Sequence, residues 1–212
     1  MDSSLPPESR ETDDWDRIYR EGLPSWETGK PSAELIRLFR EHKPLGRLRT
    51  VLELGCGTGA DAVFLAKAGL DVTAVEISPI ALERARFRAR EQNAPIHFVL
   101  DDVFGFTENA DKFDLIHDSG FYDFARKRNL AQFLDLLWRL TQPGSYYIAL
   151  PISADDESEE GAMGVTEHEI RLELGRLFET VELRSVRFER PNRPEGCLGW
   201  SCLMRRPQPV GA

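Results

Sequence analysis

Residues 51–59 read VLELGCGTG. An apolar run enters Gly55, Gly57 and Gly59, and a helical pattern follows over Thr58 to Ala68. In a parallel α/β sheet, ligands sit where strands end and helix N-termini point. Glycine there lets the backbone approach a ligand closely. Residues 71–76, DVTAVE, form a second strand that ends in a carboxylate, Glu76. A carboxylate in that place can accept both hydroxyls of a ribose. A third strand, Ile96 to Leu100, runs into Asp101, Asp102 and Val103.

Outward from this core, strands are expected at Thr50 to Leu54, Asp71 to Glu76, Ile96 to Leu100, Phe113 to Asp118 and Tyr146 to Pro151. Helical spacing occupies the intervals, with Pro79 to Glu91 and Arg126 to Leu140 the clearest. Ser78-Pro79 gives a capping hydroxyl followed by proline at the first helical position. Thr166 with Glu169 reads as a capping box ahead of Ile170, Leu174 and Leu177. Two late strands, Val181 to Phe188 and Leu198 to Met204, lie close enough for a hairpin. The expected fold is α/β: a Rossmann-like, doubly wound, seven-stranded sheet, mostly parallel, with an antiparallel strand in the C-terminal hairpin and helices on both faces.

Before the first strand, Met1 to Glu11 reads as a loose arm. A short helix over Asp13 to Arg20 follows, and then Ser32 as the cap of a helix carrying Leu35, Leu38, Phe39 and Leu45. The expected organisation is an arm with helices over residues 1–48, a main domain over 49–205 and a tail over 206–212. The acidic stretch Ser153 to Gly161 reads first as a solvated loop and second as a lid.

Composition narrows the classes. The 212 residues are 41% hydrophobic and 30% charged, which suits one globular domain. Net charge is −9, with 36 acidic against 27 basic residues, which argues against nucleic acid as a partner. No run approaches the length of a membrane span, and the polar N-terminus is not a signal peptide. Three cysteines without paired spacing read as reduced thiols in a cytoplasm. Four histidines show no metal-ligand spacing, so no metal is expected.

Two cofactors compete for the glycine turn. Gly55, Gly57 and Ala60 fit the loose dinucleotide pattern, and Glu76 would serve NAD in an oxidoreductase. Glu53 just ahead of the glycines, the third glycine and Asp102 favour an adenosyl sulfonium. That group carries no pyrophosphate and needs carboxylates and a site tolerant of positive charge. Taken together, VLELGCGTG, DVTAVEIS, LDDV, FDLIHDSG and the turn Gln142-Pro143-Gly144 resemble the class I S-adenosylmethionine-dependent methyltransferases over residues 31–205. The arm WDRIYREGLPSWETGKPS, residues 15–32, is similar to that of the small thiopurine, thiol/halide and tellurite-type enzymes. It departs from them in Tyr19 and Ser25, where a Trp and a Pro are usual.

The resemblance implies that Gly55, Cys56 and Gly57 face the methionine end with Glu53. It implies that Glu76 takes the ribose hydroxyls, and that Ile77, Asp102 and Val103 take the adenine. Trp15 and Trp26 would fold over the sulfonium, to which aromatic faces are attractive. Cys56 reads as a small residue tolerated in a crowded loop rather than as a nucleophile. At the fourth strand end, Asp118 would border both cofactor and acceptor, and Asp118, Tyr122 and Asp123 are acceptor-side candidates. Asp118 is the first candidate base and Tyr122 the second. His117 should point to the opposite face from Asp118 and pack under a helix. Lys30 and Arg126 to Arg128 could orient an anionic acceptor. With no His–Asp pairing apparent, a soft nucleophile (thiol, chalcogen or halide) is the expected small-molecule acceptor. Transfer to oxygen or nitrogen of a small metabolite is the alternative, and a non-catalytic adenosyl-binding domain is a third reading. The product would be S-adenosylhomocysteine, and the enzyme a monomer or weak dimer.

Overall fold

Seven strands form one sheet in the order β3-β2-β1-β4-β5-β7-β6. They are β1 (Thr50–Leu54), β2 (Asp71–Glu76), β3 (Ile96–Leu100), β4 (Leu115–Asp118), β5 (Tyr146–Ala149), β6 (Glu179–Arg190) and β7 (Arg193–Arg205). Strands β1 to β5 pair in parallel, and β7 runs antiparallel to both β5 and β6. The computed structural model describes residues 7–107, 112–158, 161 and 163–208.

Alternation along the strands sorts the core into two layers. Leu52, Leu54, Ile116 and Tyr147 face a cluster with Phe133, Leu137, Ile170 and Leu174. These come from α5 (Phe121–Leu140) and α6 (Glu167–Leu174). Their neighbours Val51, Leu115 and Ile148 face Leu35, Leu38, Ala62, Leu65 and Leu82. Those belong to α2 (Ala33–Glu41), α3 (Ala60–Lys67) and α4 (Pro79–Glu91). The central strands β1, β4 and β5 are therefore buried on both faces, while the edge strand β3 is only partly covered.

Several boundaries differ from expectation. Helix α1 spans Pro7–Glu21, so Pro7 to Glu11 are helical rather than a loose arm, with proline at the first helical position. Met1 to Pro6 lie outside the described residues. Ser32 occupies the cap position of α2, but its hydroxyl makes no capping bond, and Leu45 belongs to a separate short turn. Ser78 and Thr166 do cap α4 and α6 through their side chains, the latter as a full capping box.

Helix α5 begins at Phe121 and is broken at Asn129, whose backbone is extended (φ −165°, ψ 89°). The Asn129 side chain accepts the Gln132 N–H at 3.1 Å and restarts the helix. The sequence pattern shows only the second segment.

Arg206 is not in a free tail. Its guanidinium lies 3.5 Å from the Trp138 ring and donates to the Trp138 carbonyl at 2.9 Å. The remaining tail residues 209–212 lie outside the described residues.

The acidic stretch is pinned at Asp156, whose carboxylate takes the Leu198 N–H at 2.6 Å, the Ser158 N–H at 2.9 Å and Arg193 at 2.7 Å. These donors hold its carboxyl well below the usual range, although burial works against them. Asp156 is thus buried and anchored while Asp155 and Glu157 are exposed to solvent; Glu159 and Glu160 lie outside the described residues.

Candidate functional site

A cavity of about 850 Å³ opens above the carboxyl ends of β1, β2 and β4. Its floor is the β1–α3 turn. Gly55, Gly57 and Gly59 all adopt positive φ, +63°, +52° and +76°. A Cβ on Gly55 would lie 3.0 Å from the Phe121 ring, and one on Gly57 would lie 2.9 Å from the Tyr19 hydroxyl. The glycines thus serve both a left-handed backbone and the close approach of α1 and α5.

Glu76 ties this turn to β2. One carboxylate oxygen accepts the Gly57 N–H and the other the Ser78 N–H, each at 2.8 Å. Burial nonetheless raises its carboxyl above the ordinary value, against the pull of those donors. A carboxylate offers about four acceptor sites, so capacity for two hydroxyls remains.

Glu53 is 4% exposed, lines the cavity, and has one oxygen, Oε2, with no partner among the described residues. Burial pushes its carboxyl up to about 8, while His117 draws it back. Behind it lies a pair that sequence reasoning missed. His117 Nε2 meets Asp61 Oδ2 at 2.9 Å and its Nδ1 meets the Ile148 carbonyl at 3.2 Å. Both partners can accept a hydrogen bond, which favours a hydrogen on each ring nitrogen. The His117 pKa is accordingly raised by Asp61 and Glu53 although burial opposes this. Glu53, Asp61 and His117 have ligand atoms within 4.8 Å of one another. Glu53 Oε2 is fully buried and is the oxygen of this cluster without a hydrogen-bond partner among the described residues.

The roof is the N-terminal arm. Arg84 donates to the carbonyls of Tyr19 (2.7 Å) and Gly22 (3.1 Å), and Arg88 to that of Gly29 (2.8 Å). Asp16 accepts from the Ser78 hydroxyl, and Glu27 from that of Thr58. The Ser32 N–H donates to Asp61 at 2.7 Å. Trp15 then stands edge-on to Trp26 at 6.2 Å and to Phe124 at 6.0 Å. Arg84 and Arg88 are four apart on α4, a spacing visible in the sequence, but their targets are backbone carbonyls, which no residue pattern marks.

Of the expected site residues, Trp15, Trp26, Glu53, Gly55, Cys56, Gly57, Glu76, Ile77, Asp102 and Val103 line this cavity. Cys56 is buried, and burial with Glu53 and Glu76 nearby pushes its thiol up, which disarms it as a nucleophile. Asp102 is partly committed: one oxygen caps Phe104 at 3.0 Å and the other pairs with Arg128 at 2.8 Å.

Asp118 and Tyr122 are not among the lining residues. Asp118 is fully buried, taking the Tyr122 N–H at 3.0 Å and the Tyr147 hydroxyl at 2.5 Å. It holds the start of α5. Tyr122 stacks on Phe133 and donates to Glu173 at 2.7 Å. Neither can act as a base at the cavity from these positions. Arg126 likewise turns away, to Glu169 and Glu173 at 2.6 Å each, whereas Lys30 and Arg128 line the cavity. His117 and Asp118 do face opposite sides of the sheet. The acceptor-side residue that reaches the cavity is Asp123.

Comparison with known proteins places this geometry. The family described as "Methyltransferase domain" matches residues 51–144. The chain is 31% identical over 147 residues to "Probable thiol methyltransferase 2" of Arabidopsis thaliana, covering 68% of this chain and 63% of that protein. It is 28% identical over 151 residues to "2-heptyl-1-hydroxyquinolin-4(1H)-one methyltransferase" of Mycobacteroides abscessus, covering 70% and 65%. The chain thus spans just under two thirds of the length of these relatives. A solved structure described as "Conversion of a Disulfide Bond into a Thioacetal Group during Echinomycin Biosynthesis" superposes with a TM-score of 0.77 at 25% identity, covering 92% of this chain and 93% of that one. The chain carries the methyltransferase domain and has the Rossmann-like fold of the class I S-adenosylmethionine-dependent methyltransferases. One of these relatives is named as a probable thiol methyltransferase.

Proposed function

We propose that the chain is an S-adenosylmethionine-dependent methyltransferase whose acceptor is a small soft nucleophile: a thiol, chalcogen or halide. The observation that carries the cofactor is Glu53, a buried acid lining the cavity beside the glycine turn, whose Oε2 has no hydrogen-bond partner among the described residues. An ammonium group brought beside it would draw off its proton and pair with the carboxylate, a partner that a pyrophosphate does not offer. Glu76 would take the ribose hydroxyls, with Ile77 and Val103 against the adenine and Asp102 at its edge. Gly55 and Gly57 allow the backbone to approach the methionine end, and Cys56 fills the turn between them. When bound, S-adenosylmethionine supplies an electrophilic methyl on a sulfonium and is converted to S-adenosylhomocysteine.

The chain's own contribution is alignment, charge and exclusion of water. Alignment of two reactants can supply roughly 7–11 kcal/mol of a barrier. Trp15, Trp26 and Phe124 offer aromatic faces to positive charge, worth roughly 0.5–2 kcal/mol when dry. The clamped arm covers the reacting region. The soft acceptor is supported by the thiol enzyme among the relatives and by the apolar, aromatic wall, on which a soft nucleophile is easily desolvated. Among the described residues no helix is long and apolar enough to cross a membrane.

Thermal unfolding with S-adenosylhomocysteine, S-adenosylmethionine or NADH tests the reading. A ligand at about 100 times its dissociation constant stabilises by roughly 2.7 kcal/mol. At about 2–4 °C per kcal/mol, that raises Tm by about 5–11 °C. The adenosyl ligands should shift Tm and NADH should not; a shift with NADH alone overturns the cofactor.

A further inference from the structure

Asp123 is 5% exposed and lines the cavity from the first turn of α5. Its Oδ2 accepts the Ile152 N–H at 2.9 Å. Its Oδ1 has no partner among the described residues. A half-satisfied buried carboxyl is costly unless something else completes it. Glu53, toward the glycine turn, shares this state, whereas Asp118 is held by Tyr122 and Tyr147, and Asp102 by Phe104 and Arg128. Around Asp123 the wall is apolar, with Phe121, Phe124, Leu150, Ile152 and Met163. Phe121, two residues earlier, packs on Gly55 and so places this wall beside the methionine end of the site.

We infer that Asp123 is a catalytic residue: it accepts the proton of an acceptor that arrives protonated, a thiol on an apolar frame, rather than a halide or another pre-ionised anion. The inference rests on the methyltransferase reading and selects among its acceptors. A bare anion has no proton for Oδ1 to take. In the step, the acceptor sulfur bonds to the transferred methyl carbon and its S–H proton passes to Asp123 Oδ1. The electron pair of the broken carbon–sulfur bond stays on the departing thioether, and the proton then leaves to solvent through the cavity mouth.

The electrostatics favour a strong base. Burial and Asp118 on β4 raise the Asp123 carboxyl well above its ordinary value. The Ile152 N–H and the more distant Arg126 and Lys127 on α5 oppose this. Cys202 on β7 is close enough to feel the same charge. A carboxylate with raised affinity for protons is better matched to a thiol.

The test is Asp123→Asn, which keeps an acceptor for the Ile152 N–H and the same shape. The kcat/KM values for two thiols are compared, an alkyl thiol protonated at neutral pH and an electron-poor aryl thiol already ionised there. A positioned base is worth about 10²–10⁴-fold. The alkyl thiol should lose at least a hundredfold and the aryl thiol less than about threefold. Raising the pH should return the variant toward wild type with the alkyl thiol. S-adenosylhomocysteine affinity and Tm should stay near wild type, which separates loss of the base from loss of the fold or of the cofactor site. Equal losses on both thiols, or no loss on either, overturn the assignment. If the wild type binds S-adenosylhomocysteine but methylates no thiol, the acceptor is wrong; if it binds none, the underlying reading fails first.

Discussion

At one end of the cavity, Glu53, Gly55, Gly57 and Glu76 come from the ends of two adjacent strands, β1 and β2, held in register from Thr50–Asp71 to Leu54–Val75. At the other, Trp15, Lys30, Asp123 and Arg187 come from segments far apart in the chain. The first half is positioned by main-chain pairing, so a change of one side chain leaves the others in place. The second is positioned by side chains reaching backbone, such as Arg84 and Arg88 on the arm carbonyls. On the proposed function, the half around Glu53 and Glu76 should therefore respond to mutation with loss of cofactor binding, and the half around Trp15 and Asp123 with loss of alignment.

The sharpest way to break that contrast is Glu76→Ala. It should weaken S-adenosylhomocysteine binding at least tenfold by calorimetry. It also strips partners from the Gly57 and Ser78 N–H groups, at about 1–3 kcal/mol each if they stay buried. Retained affinity would show that the strand-end carboxylate is only a strut.

Gly57→Ala probes the seam between the halves. The new Cβ meets Tyr19 Oη at 2.9 Å on a backbone with φ +52°. About 1–2 kcal/mol of backbone strain is expected, with the arm displaced and Trp15 and Trp26 fluorescence altered. Adding Tyr19→Phe should recover the part owed to the hydroxyl. No recovery would mean that the arm does not rest on the turn.

A third test is pH dependence. The Glu53 carboxyl is near 8 when folded, above its unfolded value, so the folded state holds the extra proton. Its stabilisation is present below the unfolded value of about 4.3 and is lost as pH rises through about 8, with a slope of at most about 1.4 kcal/mol per pH unit. His117, also raised, contributes in the same direction. Glu53→Gln should flatten the Tm profile between about pH 5 and 8 while weakening S-adenosylhomocysteine binding. An unchanged profile would place the ionisation elsewhere.

The parallel core was legible because its signals are local: apolar runs, glycines and the Ser78-Pro79 cap. Strands β1, β2 and β3 fall on their expected residues. The first segment of α5 was not, because a carboxylate from the preceding strand end starts it rather than a Ser or Thr cap. The same fact misled the site reading. Asp118 looks like a ligand group at a strand end, as Glu76 does, and only packing shows that one faces the cavity and the other a helix. Asp61 and His117 are 56 residues apart, so their pairing left no mark in spacing.

Asp61 spends one oxygen on Ser32, at the root of the arm, and the other on His117, beside Glu53. One side chain is thus shared between the hinge of the roof and the charge balance at the floor. A cation arriving at Glu53 alters what His117 asks of Asp61, and hence how firmly Ser32 is gripped. Coupling of this kind is reciprocal, so an arm held down must favour the occupant as much as the occupant favours the arm.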